Sequence, residues 1–209
     1  ISPSLPLICV SATPFDFLDA ISDSDEMKIN VIHGIRHENY FGISEMLKLN
    51  LVRDLPESYK HFELNGDVPI ISPEIQKSIF YLNQFQTGIG IIRCSTTNEA
   101  SRLKEYLSGL QIENSETILI GCKKTESDYS IQEGLSLLPR KIRIEKKKII
   151  LIVIHALSAG KDLKNIKNEL RFVIETRKAQ LANCVQGLPG RACGYHKNRE
   201  ILIYANQTI

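Results

Sequence analysis

A chain of 209 residues with 43% hydrophobic side chains is long and apolar enough to bury a core, which excludes global disorder and low complexity. Its 26 Lys and Arg against 24 Asp and Glu leave a net charge of +2, so composition neither demands nor forbids a nucleic-acid partner. Cys9, Cys94, Cys122, Cys184 and Cys193 are odd in number and lie beside apolar residues, which favours buried thiols over a disulfide framework.

The chain starts at Ile1 without Met or a charged leader and reads as a processed or truncated piece. Leu7 to Val10 is a short apolar run that stops at Ser11-Ala12-Thr13-Pro14, as a buried strand does before proline. Met27 to Ile32 reads as a strand and Ile43 to Val52 as a helix. Residues 19–75 otherwise look like a connector with some folded decoration, broken at Gly66, Pro69 and Pro73.

After Pro73 the rhythm becomes regular. Helices are expected over Glu74 to Phe85, Asn98 to Leu107, Ser130 to Leu138 and Lys178 to Val185. Strands are expected over Gly88 to Cys94, Thr117 to Cys122, Ile149 to Ile154, Phe172 to Ile174 and Ile201 to Tyr204. Strands separated by helix-sized segments predict an α/β fold, a mostly parallel sheet flanked by helices, over about residues 76 to 206. The longest apolar run, Ile149 to Ile154, is strand-sized and too short to span a membrane, so no membrane partner is expected.

Ligands in such sheets collect beyond the strand ends, so the residues there carry the functional reading. In Gln186-Gly187-Leu188-Pro189-Gly190-Arg191-Ala192-Cys193-Gly194-Tyr195, glycines flank an arginine whose fork of donors matches a phosphate. A plain surface turn explains the same residues. In Ser158-Ala159-Gly160-Lys161-Asp162, Gly160 permits a close approach and Asp162 offers acceptors to a ribose. Ser95, Thr96, Lys123 and Lys124 follow two strands and suit phosphate contacts; helix capping or a solvated turn is the competing reading. The cluster Arg140, Lys141, Arg143, Lys146, Lys147 and Lys148 reads first as a solvated turn and strand edge, second as a nucleic-acid contact.

Other chemistries fit poorly. No phosphate loop of the Gly-rich Lys-Ser/Thr type occurs. Cys193 and His196, even with Cys184, lack the second close pair a structural zinc needs, so no metal ligands are assigned. His33 and His37 lack the zincin glutamate, and Ser11 and Ser158 lack a nucleophile elbow.

Four of these segments, in order, resemble the superfamily 2 helicases. Ser11-Ala12-Thr13 looks like the Ser-Ala-Thr motif at the end of that family's first RecA-like lobe. Gly90-Ile91-Ile92-Arg93-Cys94 with Ser95 and Thr96 resembles the strand and loop that open the second lobe. Gly160-Lys161-Asp162 matches the Gly-x-Asp element, and Gln186 to Arg191 resembles the final Gln-to-Gly-Arg motif. Tyr40-Phe41-Gly42-Ile43, the Gly160-Lys161 pair and Gly190-Arg191-Ala192-Cys193-Gly194-Tyr195 look like a phage or viral branch.

The resemblance implies residues 1–18 as the tail of a first lobe, 19–75 as connector, and 76–209 as a second RecA-like lobe without its own phosphate loop. It implies an ATP-dependent helicase or translocase, cytoplasmic or in an infected host's cytoplasm or nucleus. ATP and Mg2+ would be held mainly by a first lobe outside this sequence, with DNA favoured over RNA as the partner. By the same resemblance Arg191 and Gln186 are catalytic, and Gly160, Asp162 and Gly190 lie at the nucleotide. Ser11, Ala12 and Thr13 would couple the two activities, while Arg93, Ser95, Thr96, Lys123 and Lys124 would grip nucleic acid; the resemblance thus favours phosphate contact for Thr96 and leaves capping to Thr97. The departures fall in the final motif: Gly190 comes four residues after Gln186, and Gly194 stands where a second arginine is common. Arg177 and Arg199 are the candidates to replace it. A silent nucleic-acid-binding module and a protein-binding scaffold are the alternative functions.

Overall fold

The computed structural model describes residues 40–56, 59–65, 68–110, 112–121, 127–154, 163, 165–176 and 188–205. Its strands are β1 (Val52–Asp54), β2 (Phe62–Asn65), β3 (Val68–Ile71), β4 (Gly88–Cys94), β5 (Ser115–Gly121), β6 (Tyr129–Ser130), β7 (Lys148–Ile154), β8 (Leu170–Glu175) and β9 (Leu202–Ala205). The helices are α1 (Ile43–Lys48), α2 (Pro73–Asn83), α3 (Thr97–Gly109), α4 (Ile131–Arg143) and α5 (Leu188–Ala192). Seven strands form one sheet in the order β1-β9-β8-β4-β7-β5-β6, and every neighbouring pair is parallel. The remaining two, β2 and β3, make a separate antiparallel hairpin.

The centre of the sheet follows from the apolar runs. Every residue of β4 and β7 is buried, as expected of parallel strands covered on both faces. Their register runs unbroken from Gly88 opposite Lys148 to Cys94 opposite Ile154. Alternation sends Ile89, Ile91, Ile149, Leu151 and Val153 to one face, with Leu138 and Ile142 of α4 and Leu188 and Ala192 of α5. It sends Ile92, Cys94, Ile150, Ile152 and Ile154 to the other, with Ile75, Ile79 and Leu82 of α2 and Ala100, Leu103 and Leu107 of α3. Each such Ile, Leu or Val contributes about 1.5–3 kcal/mol relative to exposure.

Local signals set the helix starts. Ser72 caps α2, its Oγ accepting from Ile75 N at 3.4 Å, with Pro73 in the first turn. Ser130 and Glu133 form a reciprocal capping box on α4. That helix was expected to stop at Leu138, ahead of Pro139, yet it continues to Arg143. The missing N–H of Pro139 removes one helical bond, while Leu138 and Ile142 are both buried and hold the turn on either side of it.

The sheet begins earlier than residue 76. β1 pairs with β9 through Val52–Ile203 to Asp54–Ala205, at an edge where its short, mostly exposed sequence carries no alternating signal. The expected helix over Ile43 to Val52 therefore ends at Lys48 and gives way to this strand. The expected strands before residue 40 and the helix over Lys178 to Val185 lie outside the described residues. Most of the basic cluster around residues 140–148 is neutralised in place. Lys141 and Lys147 bind Glu116 at 2.7 and 2.8 Å, Arg143 binds Glu169 at 2.7 Å, and Arg140 faces Glu145 at 3.4 Å. Burial alone would raise the Glu116 carboxyl, but its hydrogen bonds to Lys141 and Lys147 hold it below its ordinary range.

The connections define a switch point. From β4 the chain leaves through α3, on the face shared with α2. After β5, β7 and β8 the described residues that follow, in α4, at Leu163 and Ile166, and in α5, pack on the opposite face. Adjacent strands whose exits diverge open a crevice at their carboxyl ends. That places the ends of β4 and β8 at the natural ligand position.

Gly90 makes the centre possible, because a Cβ there would meet a Phe172 ring carbon at 1.9 Å. Gly90→Ala should therefore destabilise the fold by at least about 2 kcal/mol through overpacking. Urea unfolding followed by circular dichroism measures this directly, and a midpoint unchanged from wild type would refute the close approach.

Candidate functional site

At the switch point, the last turn of β4 meets the last residue of β8. Arg93 is 3% exposed and Glu175 is 2% exposed. Arg93 Nε lies 2.9 Å from both carboxylate oxygens of Glu175. Glu175 Oε2 also accepts from Leu188 N, the first residue of α5, at 3.3 Å. One carboxylate thus ties the central strand, its neighbour and the helix that carries Gly190 and Arg191. Two charges this deep are tolerated because each matches the other, and the carboxylate takes a further donor from Leu188 N.

The backbone at Arg93 is held as firmly. Its carbonyl accepts from His61 Nε2 at 2.7 Å and from Thr176 Oγ1 at 3.2 Å. Beyond it, Thr96 is the N-cap of α3, its Oγ1 accepting from Glu99 N at 3.2 Å. Glu99 returns the contact, accepting from Ser95 N at 2.9 Å. The preference for Thr97 as the cap is thus corrected by one residue: the hydroxyl of Thr96 points back at the helix. Arg93, expected at a nucleic-acid surface, is buried on Glu175; Ser95 is exposed.

The Gly190-Arg191 segment is a short helix and not the expected turn. Leu188, Pro189 and Ala192 are buried beneath it, and Arg191 is half-buried. Gly194 follows with φ +144°, in the left-handed region that favours glycine, and exchanges two backbone bonds with Phe41 at 2.9 Å. Arg199 stacks on the Phe41 ring at 4.2 Å and donates to the His196 carbonyl at 2.6 Å. Those contacts give Arg199 a structural place. His196 Nε2 donates to Ala192 O at 2.7 Å, and Cys193 Sγ lies 3.8 Å from Pro189 O. Ser11, Ala12, Thr13, Lys123, Lys124, Gly160, Asp162, Arg177 and Gln186 lie outside the described residues.

On the opposite face of the same strand end sits a group that the sequence reading missed. His61, Cys94 and Glu99 bring one nitrogen, one sulfur and one carboxylate oxygen within 4.8 Å of one another. Their separations in sequence follow no metal-binding pattern, so only the fold unites them. His61 is buried between Arg93 O and Tyr59 Oη, the latter 3.1 Å from Nδ1 and 3.0 Å from Ser72 Oγ. Burial pushes the Cys94 thiol up, and the Glu99 charge adds to the rise. Burial pushes His61 down, against the opposing pull of Glu99 and the Arg93 carbonyl.

Compared with known proteins, the chain matches no family model and no curated protein.

Two outcomes test this arrangement. Glu175→Ala should cost about 3–5 kcal/mol, because it strands the buried Arg93 charge, whereas Arg93→Met with Glu175→Leu should recover most of the loss. Equal stability of the single and double variants in urea would contradict a buried, coupled pair.

His196 supplies the second. Burial lowers its pKa, and Lys167 and Arg199 push it further down against the pull of the Ala192 carbonyl. Below its ordinary value near 6.5 the unfolded chain therefore binds more protons at this site. Stability should fall as pH drops from 7 to 5, and His196→Gln should flatten that fall by up to about 1.4 kcal/mol per pH unit. Identical pH–stability profiles for the two proteins would remove His196 from the account.

Proposed function

We propose that this chain supplies a second RecA-like lobe to an ATP-dependent helicase or translocase acting on nucleic acid, with DNA favoured over RNA. The observation that carries the reading is the Arg93–Glu175–Leu188 link. It joins the strand that resembles the opening of such a lobe to the helix bearing the Gly190-Arg191 pair of the final motif. A parallel sheet with its switch point at these strand ends agrees with the same reading.

In this proposal ATP and Mg2+ are held mainly by a first lobe, and the present lobe closes over the phosphates. Arg191 then reaches the transferred phosphoryl group, where a guanidinium stabilises developing charge, with Gln186 beside the attacking water. Gly160, Asp162 and Gly190 border the nucleotide, and Ser11, Ala12 and Thr13 couple hydrolysis to the strand. Thr96 serves as a cap, so the exposed Ser95, with Lys123 and Lys124, is left to meet the nucleic-acid backbone. Closure aligns the phosphates and opening shifts the grip.

The arginine gives the decisive measurement. In a protein carrying both lobes, Arg191→Ala should lower ATP turnover by about 10³-fold or more while nucleic-acid affinity changes little. Wild-type turnover in that variant removes Arg191 from the chemistry. Salt-sensitive strand binding with no ATP turnover at all would favour a silent nucleic-acid-binding module instead.

A further inference from the structure

We propose that His61, Cys94 and Glu99 form a three-ligand site for a zinc-type divalent cation at the carboxyl end of β4. The site lies on the α3 face, opposite α5, and does not depend on the helicase reading.

The donor set is the first argument. Imidazole, thiolate and carboxylate are the three protein ligands of zinc, whereas magnesium and calcium take oxygen almost alone. A thiolate and a carboxylate together neutralise a doubly charged cation, so the loaded site carries no net charge into a buried setting. Glu99 is the open side of the cluster, with its side chain 29% exposed, while His61 and Cys94 are each 1% exposed. Entry and a fourth, solvent-derived ligand therefore come past Glu99.

His61 can also change partners while the Arg93 carbonyl and its own Nδ1 both keep a hydrogen bond. In the arrangement described, Nε2–H donates to the Arg93 carbonyl, and Nδ1 accepts from Tyr59 Oη. A cation on Nε2 displaces the proton and the ring must swing off that carbonyl. The carbonyl keeps its bond from Thr176 Oγ1. Nδ1 then carries the proton and donates to Tyr59 Oη, whose own hydrogen turns to Ser72 Oγ at 3.0 Å. Either oxygen of that last pair serves as donor, so the relay reverses, with the Ser72 hydroxyl hydrogen turning away from Tyr59 Oη. A ligating histidine held through its other nitrogen in this way is the usual supporting arrangement.

The geometry needs a modest contraction. Ligand atoms now within 4.8 Å must close to roughly 3.3–3.8 Å, the spacing set by zinc bonds of about 2.0–2.3 Å. The Cys94 proton leaves as the metal binds, so affinity should rise with pH.

The test uses the whole chain with Zn2+ alone and, separately, Co2+ alone. Wild type should bind Zn2+ in competition with a chromophoric chelator and show a thiolate-to-cobalt band with Co2+. Cys94→Ser should abolish the band, and Glu99→Gln, at a partly exposed position that keeps its contact to Ser95 N, should weaken Zn2+ binding at least about tenfold. Nitrogen NMR of the imidazoles should show the His61 proton moving from Nε2 to Nδ1 on loading. Affinity unchanged from wild type in either variant, or a cobalt band surviving in Cys94→Ser, overturns the site.

Discussion

A buried ion pair cannot be left half made. Arg93 and Glu175 sit where the central strand and its neighbour end, and neither reaches water to a useful extent. Each charge therefore dictates the position of the other to within a hydrogen bond, and the geometry around them has little freedom. Glu175 also takes the first N–H of α5, which sets the height at which that helix leaves the sheet. The placement of Gly190 and Arg191 beside the end of β8 depends on this one contact.

The regular part of the fold was legible because burial there is two-sided. Ile149 to Ile154 is an unbroken apolar run and Gly88 to Cys94 is apolar but for Arg93, and strands covered on both faces have that composition. Where burial is one-sided or slight, the pattern gave way. β1 has three residues, two of them exposed, and belongs to the sheet only through its pairing with β9. The hairpin of β2 and β3 pairs outside the main sheet, with Pro69 inside it. The local pattern carries α4 only to Leu138, next to Pro139, because local chain chemistry is all a sequence displays. Tertiary burial of Leu138 and Ile142 carries the helix on.

Site chemistry was legible as a series of short segments and not as contacts. Arg93 and the Gly190-Arg191 segment were singled out separately, and nothing in sequence suggested Glu175, 82 positions from Arg93, as their common partner. The same distance effect hid His61 from Cys94. Hydroxyl roles failed for a different reason. Thr96 and Thr97 are both competent caps, and which one turns inward is decided by where the helix begins. The basic run near residue 145 looked exposed on composition alone, and its Glu116 and Glu169 partners come from elsewhere in the chain.

Arg93 serves both faces of the sheet at once. Its side chain reaches toward α5, while its carbonyl is held by His61 and Thr176. A pair of well-packed apolar residues would give comparable stability here, since desolvation consumes most of what a buried ion pair gains. Apolar residues would not hold Leu188 N or fix the direction of a carboxylate. The pair is thus better understood through position than through stability: it sets α5 relative to β4 more tightly than packing alone. His61 acts on the backbone of the same residue, so a change of partner at His61 alters the support of Arg93. Such a change reaches α5 through atoms already in contact.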